Sequence, residues 1–170
     1  MWIELIILLA VTSLTFGGLS LLRRDKKALP LTMENVLYVL RSTGIHATWA
    51  EKATEQAIEQ YIAQKLARYF SPVHTQYKFV PGKYRRERID IDLGEGKIGI
   101  EVKLAKLLKK SNERNRLLGQ IDFYLQTHYT INTLLVVIVG QAHDWENKYL
   151  KEALSLLKRK RCKVFLLKTL

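Results

Sequence analysis

The chain has 170 residues, a length that suits one globular domain, and its 48% apolar and 26% charged content excludes a wholly disordered polypeptide. Twenty-eight Lys and Arg against sixteen Asp and Glu leave a net charge of +12, a balance that favours polyanionic partners such as nucleic acid or an anionic membrane face. The single cysteine, Cys162, excludes an internal disulfide framework, and no Cys or His stands at metal-ligand spacing from it.

Residues 2–22, "WIELIILLAVTSLTFGGLSLL", carry one charge, Glu4, and the 18 residues from Leu5 to Leu22 carry none. That length crosses a hydrocarbon core as a helix. "RRDKK" follows directly, which on the positive-inside rule puts the rest of the chain in the cytoplasm. A cleaved signal peptide fits less well, because the basic cluster follows the apolar run instead of preceding it. A buried core helix fits less well too, because the run has no polar face. The expected organisation is a transmembrane anchor at 1–22, a linker at 23–31 and one domain at 32–170, giving a single-pass membrane protein.

Within the domain, "TMENVLYVLRSTG" predicts a short helix capped by Thr32 and stopped at Gly44. Thr48 and Glu51 have capping-box spacing and predict a second helix, with Ile58, Ile62, Leu66 and Phe70 on one stripe and Pro72 ending it. "VHTQYKFV" alternates as a strand does, and "PGKYRRE" reads as a turn. "RIDIDLGEGKIGIEVK", residues 88–103, predicts a hairpin turning at Glu95-Gly96. "NERNRLLGQIDFYLQTHY" is an amphipathic helix and "TLLVVIVG" a strand buried on both faces. "DWENKYLKEALSLLKRK" is another amphipathic helix, followed by the strand "KVFLL". The order α-α-β-β-β-α-β-α-β predicts an α/β fold with a mixed sheet and flanking helices.

The hairpin poses the chemical question. A two-residue turn sets Asp90 opposite Glu101, Asp92 opposite Gly99 and Arg88 opposite Lys103. Asp90, Asp92, Glu101 and Lys103 then share one face, while Ile89, Ile91, Leu93, Ile98, Ile100 and Val102 share the other, the core face. Opposed Cβ atoms lie about 4.5–5.5 Å apart, so Asp90 and Glu101 would repel unless a cation stood between them. Hard carboxylate oxygens suit Mg²⁺, and Lys103 can orient metal-bound water or stabilise charge on a phosphate. Gly99 leaves room for something to approach the backbone. The plain alternative is a solvated polar face with Lys103 offsetting the acids.

Asp90, ten intervening residues and then Glu101-Val102-Lys103 resembles the signature of the PD-(D/E)XK nucleases, the restriction-endonuclease-like superfamily. The element order is similar to that family's αβββαβ core over roughly residues 48–140. The resemblance implies a metal-dependent deoxyribonuclease, Mg²⁺ as cofactor with Mn²⁺ also accepted, and Asp90 and Glu101 as metal ligands with Lys103 catalytic. It also implies a metal-binding glutamate from the first core helix. Glu59 fits best, with Glu55 one turn earlier as competitor, and Asp92 competes with Asp90. "QIDFY" resembles the Q-x-x-x-Y element of RecB-type nucleases, implying that catalytic Gln120 binds the metal's water or a phosphate and that Tyr124 touches the DNA backbone. DNA is favoured over RNA by the resemblance alone, and family members often dimerise. Lys106, Lys109, Lys110, Arg114 and Arg116, just after the motif, are candidate phosphate contacts. "KRKRCK" near the C-terminus could meet nucleic acid or anionic lipid. The alternative function is a catalytically silent nucleic-acid-binding or scaffold module of the same fold at the membrane.

Overall fold

The computed structural model describes residues 28–78 and 88–170. The expected anchor, the first part of the linker and the "PGKYRRE" turn lie outside them. Among the described residues no helix is long and apolar enough to cross a membrane.

Three helices come first. Helix α1 (Met33–Arg41) begins as expected, with Thr32 Oγ1 accepting the Asn35 N–H at 3.2 Å. The long helix expected from Thr48 to Phe70 is instead two, α2 (Ala47–Lys52) and α3 (Glu55–Leu66). Thr48 lies inside α2, whose N-cap is His46 without a side-chain capping bond, so the Thr48–Glu51 capping box does not form. Thr54 breaks the helix. Its hydroxyl accepts the Ala57 N–H at 3.2 Å and Ala53 is extended, because a β-branched hydroxyl residue gains more as a cap than in a helix interior. The break restarts the helix at Glu55 and puts Glu55 and Glu59 on successive turns.

The remaining elements are β1 (Val73–Tyr77), β2 (Ile89–Leu93), β3 (Ile98–Leu104), α4 (Ser111–Thr127), β4 (Leu134–Gly140), α5 (Lys148–Arg159) and β5 (Lys163–Lys168). They build a five-stranded mixed sheet in the order β1-β2-β3-β4-β5, antiparallel from β1 to β3 and parallel from β3 to β5. Alternate residues of β4 join different cores. Leu135, Val137 and Val139 pack with Val36, Leu40, Ile58, Ile62 and Leu66 of α1 and α3. Leu134, Val136 and Ile138 pack with Leu117, Ile121, Leu150 and Leu157 of α4 and α5. Every residue of β4 is buried, as a strand covered by helices on both faces requires.

The β2–β3 register is the expected one, with Asp92 paired to Gly99 and Ile91 to Ile100, but the ladder stops there. Asp90 does not sit in a closed pair with Glu101. Its carboxylate accepts the Val102 N–H at 2.8 Å, and the strands part around it. Ile89 consequently leaves the face of Ile91 and Leu93 and joins the opposite core. The turn is also wider than expected: Gly94, Glu95 and Gly96 all have positive φ (69°, 57° and 89°). Asp92 holds it closed by accepting the Gly96 N–H at 2.9 and 3.0 Å.

The space expected beside Gly99 is filled by Tyr129. A Cβ on Gly99 would lie 2.6 Å from that ring, and the Tyr129 hydroxyl donates to Asp92 at 2.7 Å. Asp92 is therefore a fully buried turn clamp. Hydrogen bonds to a charged group contribute about 1.5–3 kcal/mol each, so Asp92→Ala should lower unfolding free energy by about 3 kcal/mol in urea titration. A loss under about 1 kcal/mol would show that the carboxylate does not hold the turn.

Candidate active site

Where β2 parts from β3, side chains from both helical layers reach the same place. A cleft of about 540 Å³ opens there, lined by Glu55, Gln56 and Glu59 from α3, Gln76 from β1, Arg88 and Asp90 from β2 and its approach, Lys103 from β3, and Arg116 and Gln120 from α4. The sheet supplies its floor through the open ladder, α3 one wall and α4 the other.

Lys103 organises it. The residue is 2% exposed, and its Nζ lies 2.6 Å from Glu101 Oε1, 3.0 Å from Glu55 Oε1 and 3.9 Å from Asp90 Oδ2, while donating to the Val102 carbonyl at 3.2 Å. Burial disfavours its charge, but the carboxylates of Glu101, Asp90 and Glu55 outweigh burial and hold the ammonium protonated well above the usual lysine range. Glu101 is completely buried behind it, and burial raises its carboxyl against the pull of Lys103. Burial likewise raises Asp90, opposed by Lys103 and the Val102 N–H.

A second carboxylate pair lies alongside. Gln76 Nε2 donates to Glu59 Oε2 at 2.7 Å and to Asp90 Oδ1 at 3.3 Å, bridging the two acids. Glu59 is 3% exposed, and burial first, then the Asp90 charge, push its carboxyl up to about 7. Four carboxylates thus gather around one buried ammonium, with the Arg116 guanidinium 3.8 Å from Glu55 at the exposed mouth. Among the described residues, no three His, Cys, Asp or Glu side chains form a closed set around a common metal position. The Lys103 ammonium stands between the Asp90 and Glu101 carboxylates, where the sequence led us to expect a cation.

Asp90, Lys103, Glu59 and Gln120 all reach the cleft, with Glu101 directly beneath. Both glutamates of α3 are engaged: Glu55 bonds Lys103 and approaches the Leu104 N–H at 3.4 Å, whereas Glu59 faces Gln76 and Asp90. Asp92, held at the turn, is not a cleft residue. Gln120 Nε2 lies 3.5 Å from the Tyr124 hydroxyl, and its Oε1 is buried without a hydrogen-bond partner among the described residues.

The expected phosphate contacts divide. Tyr124 is fully buried, its hydroxyl 2.6 Å from the Arg88 carbonyl and 3.1 Å from Glu101 Oε2, so it positions Glu101 and does not face a DNA backbone. Arg114 is 9% exposed and donates to the Leu108 and Lys109 carbonyls, which makes it part of the fold. Lys106 donates to the Glu51 carbonyl at 2.6 Å, and Lys109 pairs with Asp144 at 3.0 Å. Lys110 and Arg116 remain exposed. Gln76 escaped the sequence reading entirely. Nothing local marks it; only the pairing of β1 with β2 brings it beside Asp90, with its backbone at φ +53°, a left-handed conformation uncommon for a residue with a side chain.

Comparison with known protein families, characterised proteins and solved structures finds no match for this chain.

Glu59 carries a pH signature. Its folded carboxyl titrates near 7 against 4.5 for an ordinary glutamate, so the neutral acid is favoured in the native state. The stability it contributes is present below pH ~4.5 and is lost as pH rises through about 7. Without divalent cations, unfolding free energy should therefore fall by about 3 kcal/mol more across that window in the native chain than in Glu59→Gln. Parallel pH curves for the two proteins would show that Glu59 is not held neutral.

Proposed function

We propose that the chain is a metal-dependent nuclease with a restriction-endonuclease-like fold, cleaving phosphodiester bonds of DNA, while residues 1–22 anchor it to a membrane with the domain on the cytoplasmic side. One observation carries this reading: the opened β2–β3 ladder gathers Asp90 and Lys103 with Glu59 from the helix before and Gln120 from the helix after in one cleft, with Glu101 buried beneath Lys103. A polar face serving only solvent would not bury a lysine at 2% exposure among three acids.

The carboxylates suit a divalent cation in their chemistry, and an ion held by Asp90 and Glu101 would shift the Lys103 ammonium that stands between them. The ion's ligands would be hard carboxylate oxygens, and the acids outnumber the one buried ammonium. Glu59, Asp90 and Glu101 would hold Mg²⁺ or Mn²⁺. The bound ion supplies a Lewis acid that lowers the pKa of water and neutralises charge on a phosphate. The chain's own residues do the rest. Lys103, fixed in its protonated form, holds a non-bridging phosphate oxygen and stabilises the charge that grows on it during attack. Glu59 titrates near 7 in the metal-free chain, so holding the ion at neutral pH would release its proton. Gln120 offers its unpartnered oxygen to an attacking water, and Tyr124 keeps Glu101 turned toward Lys103. Arg116 meets the substrate backbone at the exposed mouth, with the exposed Lys110 a further phosphate contact.

The second reading, a catalytically silent nucleic-acid-binding module, is favoured by one observation: the Lys103 ammonium already neutralises Glu101 at 2.6 Å. The two readings separate on the full chain in detergent, incubated with plasmid and Mg²⁺. A nuclease nicks or linearises the plasmid, and Lys103→Ala and Asp90→Ala each lower the rate by about 100-fold or more. Mg²⁺ at about a hundred times its Kd should also stabilise the native chain by about 2.7 kcal/mol, seen as a rise in melting temperature. Cleavage undiminished in the double variant would sink the assignment. Plasmid binding with neither cleavage nor a Mg²⁺ shift would establish the silent module.

A further inference from the structure

The C-terminal basic run is not absorbed by the cleft. Five of the six residues 158–163, "KRKRCK", are cationic, and they join the end of α5 to the start of β5. Asp122 pairs with Lys160. Among the described residues no ion pair engages Lys158, Arg159, Arg161 or Lys163, and the first three are exposed. Beside them lies an apolar groove of about 360 Å³, lined by Leu154, Cys162, Val164 and Leu166 with Lys158 and Arg161 on its rim. Leu166, on the edge strand β5, is 39% exposed. The surface is therefore greasy at the centre and cationic around it.

We propose that this α5–β5 face docks onto an anionic lipid bilayer, Lys158 and Arg161 meeting headgroup phosphates while Val164 and Leu166 enter the acyl boundary. Charge complementarity selects this occupant. A second copy of the same face would bring like charges together, and edge lysines are a device that discourages strand addition. Nucleic acid would satisfy the cations but gain nothing from an apolar floor, whereas a leaflet rich in acidic lipids satisfies both parts. The membrane anchor proposed for residues 1–22 would hold this face at high local concentration near a leaflet. β5 lies two strands from β3, roughly 10 Å across the sheet, so docking through it leaves the cleft open. The proposal is independent of what the cleft catalyses.

Because residues 1–22 would themselves bind lipid, the test needs a reporter on the face. In the full chain, Cys162→Ser with Leu166→Cys provides one thiol for an environment-sensitive nitrobenzoxadiazole label. Vesicle-bound protein is recovered by flotation, using phosphatidylcholine vesicles with or without phosphatidylglycerol. Docking predicts a blue-shifted emission, quenched by nitroxide-labelled acyl chains, only with phosphatidylglycerol. Adding Lys158→Glu and Arg161→Glu should weaken that quenching about tenfold or more. A label that stays water-exposed on floated anionic vesicles overturns the proposal, as does quenching that survives charge reversal. An emission shift produced by duplex DNA without vesicles, together with no shift on anionic vesicles, overturns it in favour of a nucleic-acid face.

Discussion

The structure turns on the buried ammonium of Lys103. A lysine at 2% exposure is sustained only because Glu101, Glu55 and Asp90 surround it, and those acids are sustained in turn because Lys103 offsets part of their charge. The arrangement is not neutral. Glu59 remains, pressed toward its protonated form by burial and by Asp90, and Gln76 supplies only neutral hydrogen bonds. A folded core with no chemistry to perform would replace such a cluster with apolar side chains at little cost or some gain. The surplus of buried carboxylate is thus the feature that most needs a functional account.

Two backbone events create the room for it. The β2–β3 ladder opens at Asp90, whose side chain accepts the Val102 N–H, and the long second helix expected from the sequence breaks at Thr54 so that α3 begins with Glu55 beside β3. Meanwhile the other end of the hairpin is closed firmly by Asp92, the Gly96 N–H and Tyr129. One aspartate of "IDID" clamps the turn and the other faces the cleft. Their shared side of the strand hides the difference, which arises because one neighbours a turn with free N–H groups and the other neighbours a divergence of strands.

The cationic surplus divides in a comparable way. Lys106, Lys109 and Arg114 spend their charge on carbonyls and on Asp144 within the fold, so proximity in sequence to the motif does not make a phosphate contact. Lys110 stays at the surface and Arg116 at the cleft mouth, while Lys158 and Arg161 stand beside an apolar groove at the far edge of the sheet. Net charge alone carries no such geography.

What the sequence by itself determined is the part governed by local rules. Alternation and apolar runs specified the strands, the mixed α/β layering and the β2–β3 register, because side-chain direction along a strand follows directly from a period of two. The Asp90, Glu101 and Lys103 constellation was legible for the same reason, whereas Glu59, with Glu55 as competitor, entered only through the family resemblance. Tertiary structure alone decided the rest. Only packing against Arg88 and Glu101 turned Tyr124 inward, only the β1–β2 pairing brought Gln76 to Glu59 and Asp90, and only Tyr129 occupied the space beside Gly99. Each of these depends on contacts between residues 14 to 37 positions apart in sequence, whose partners no local periodicity can name.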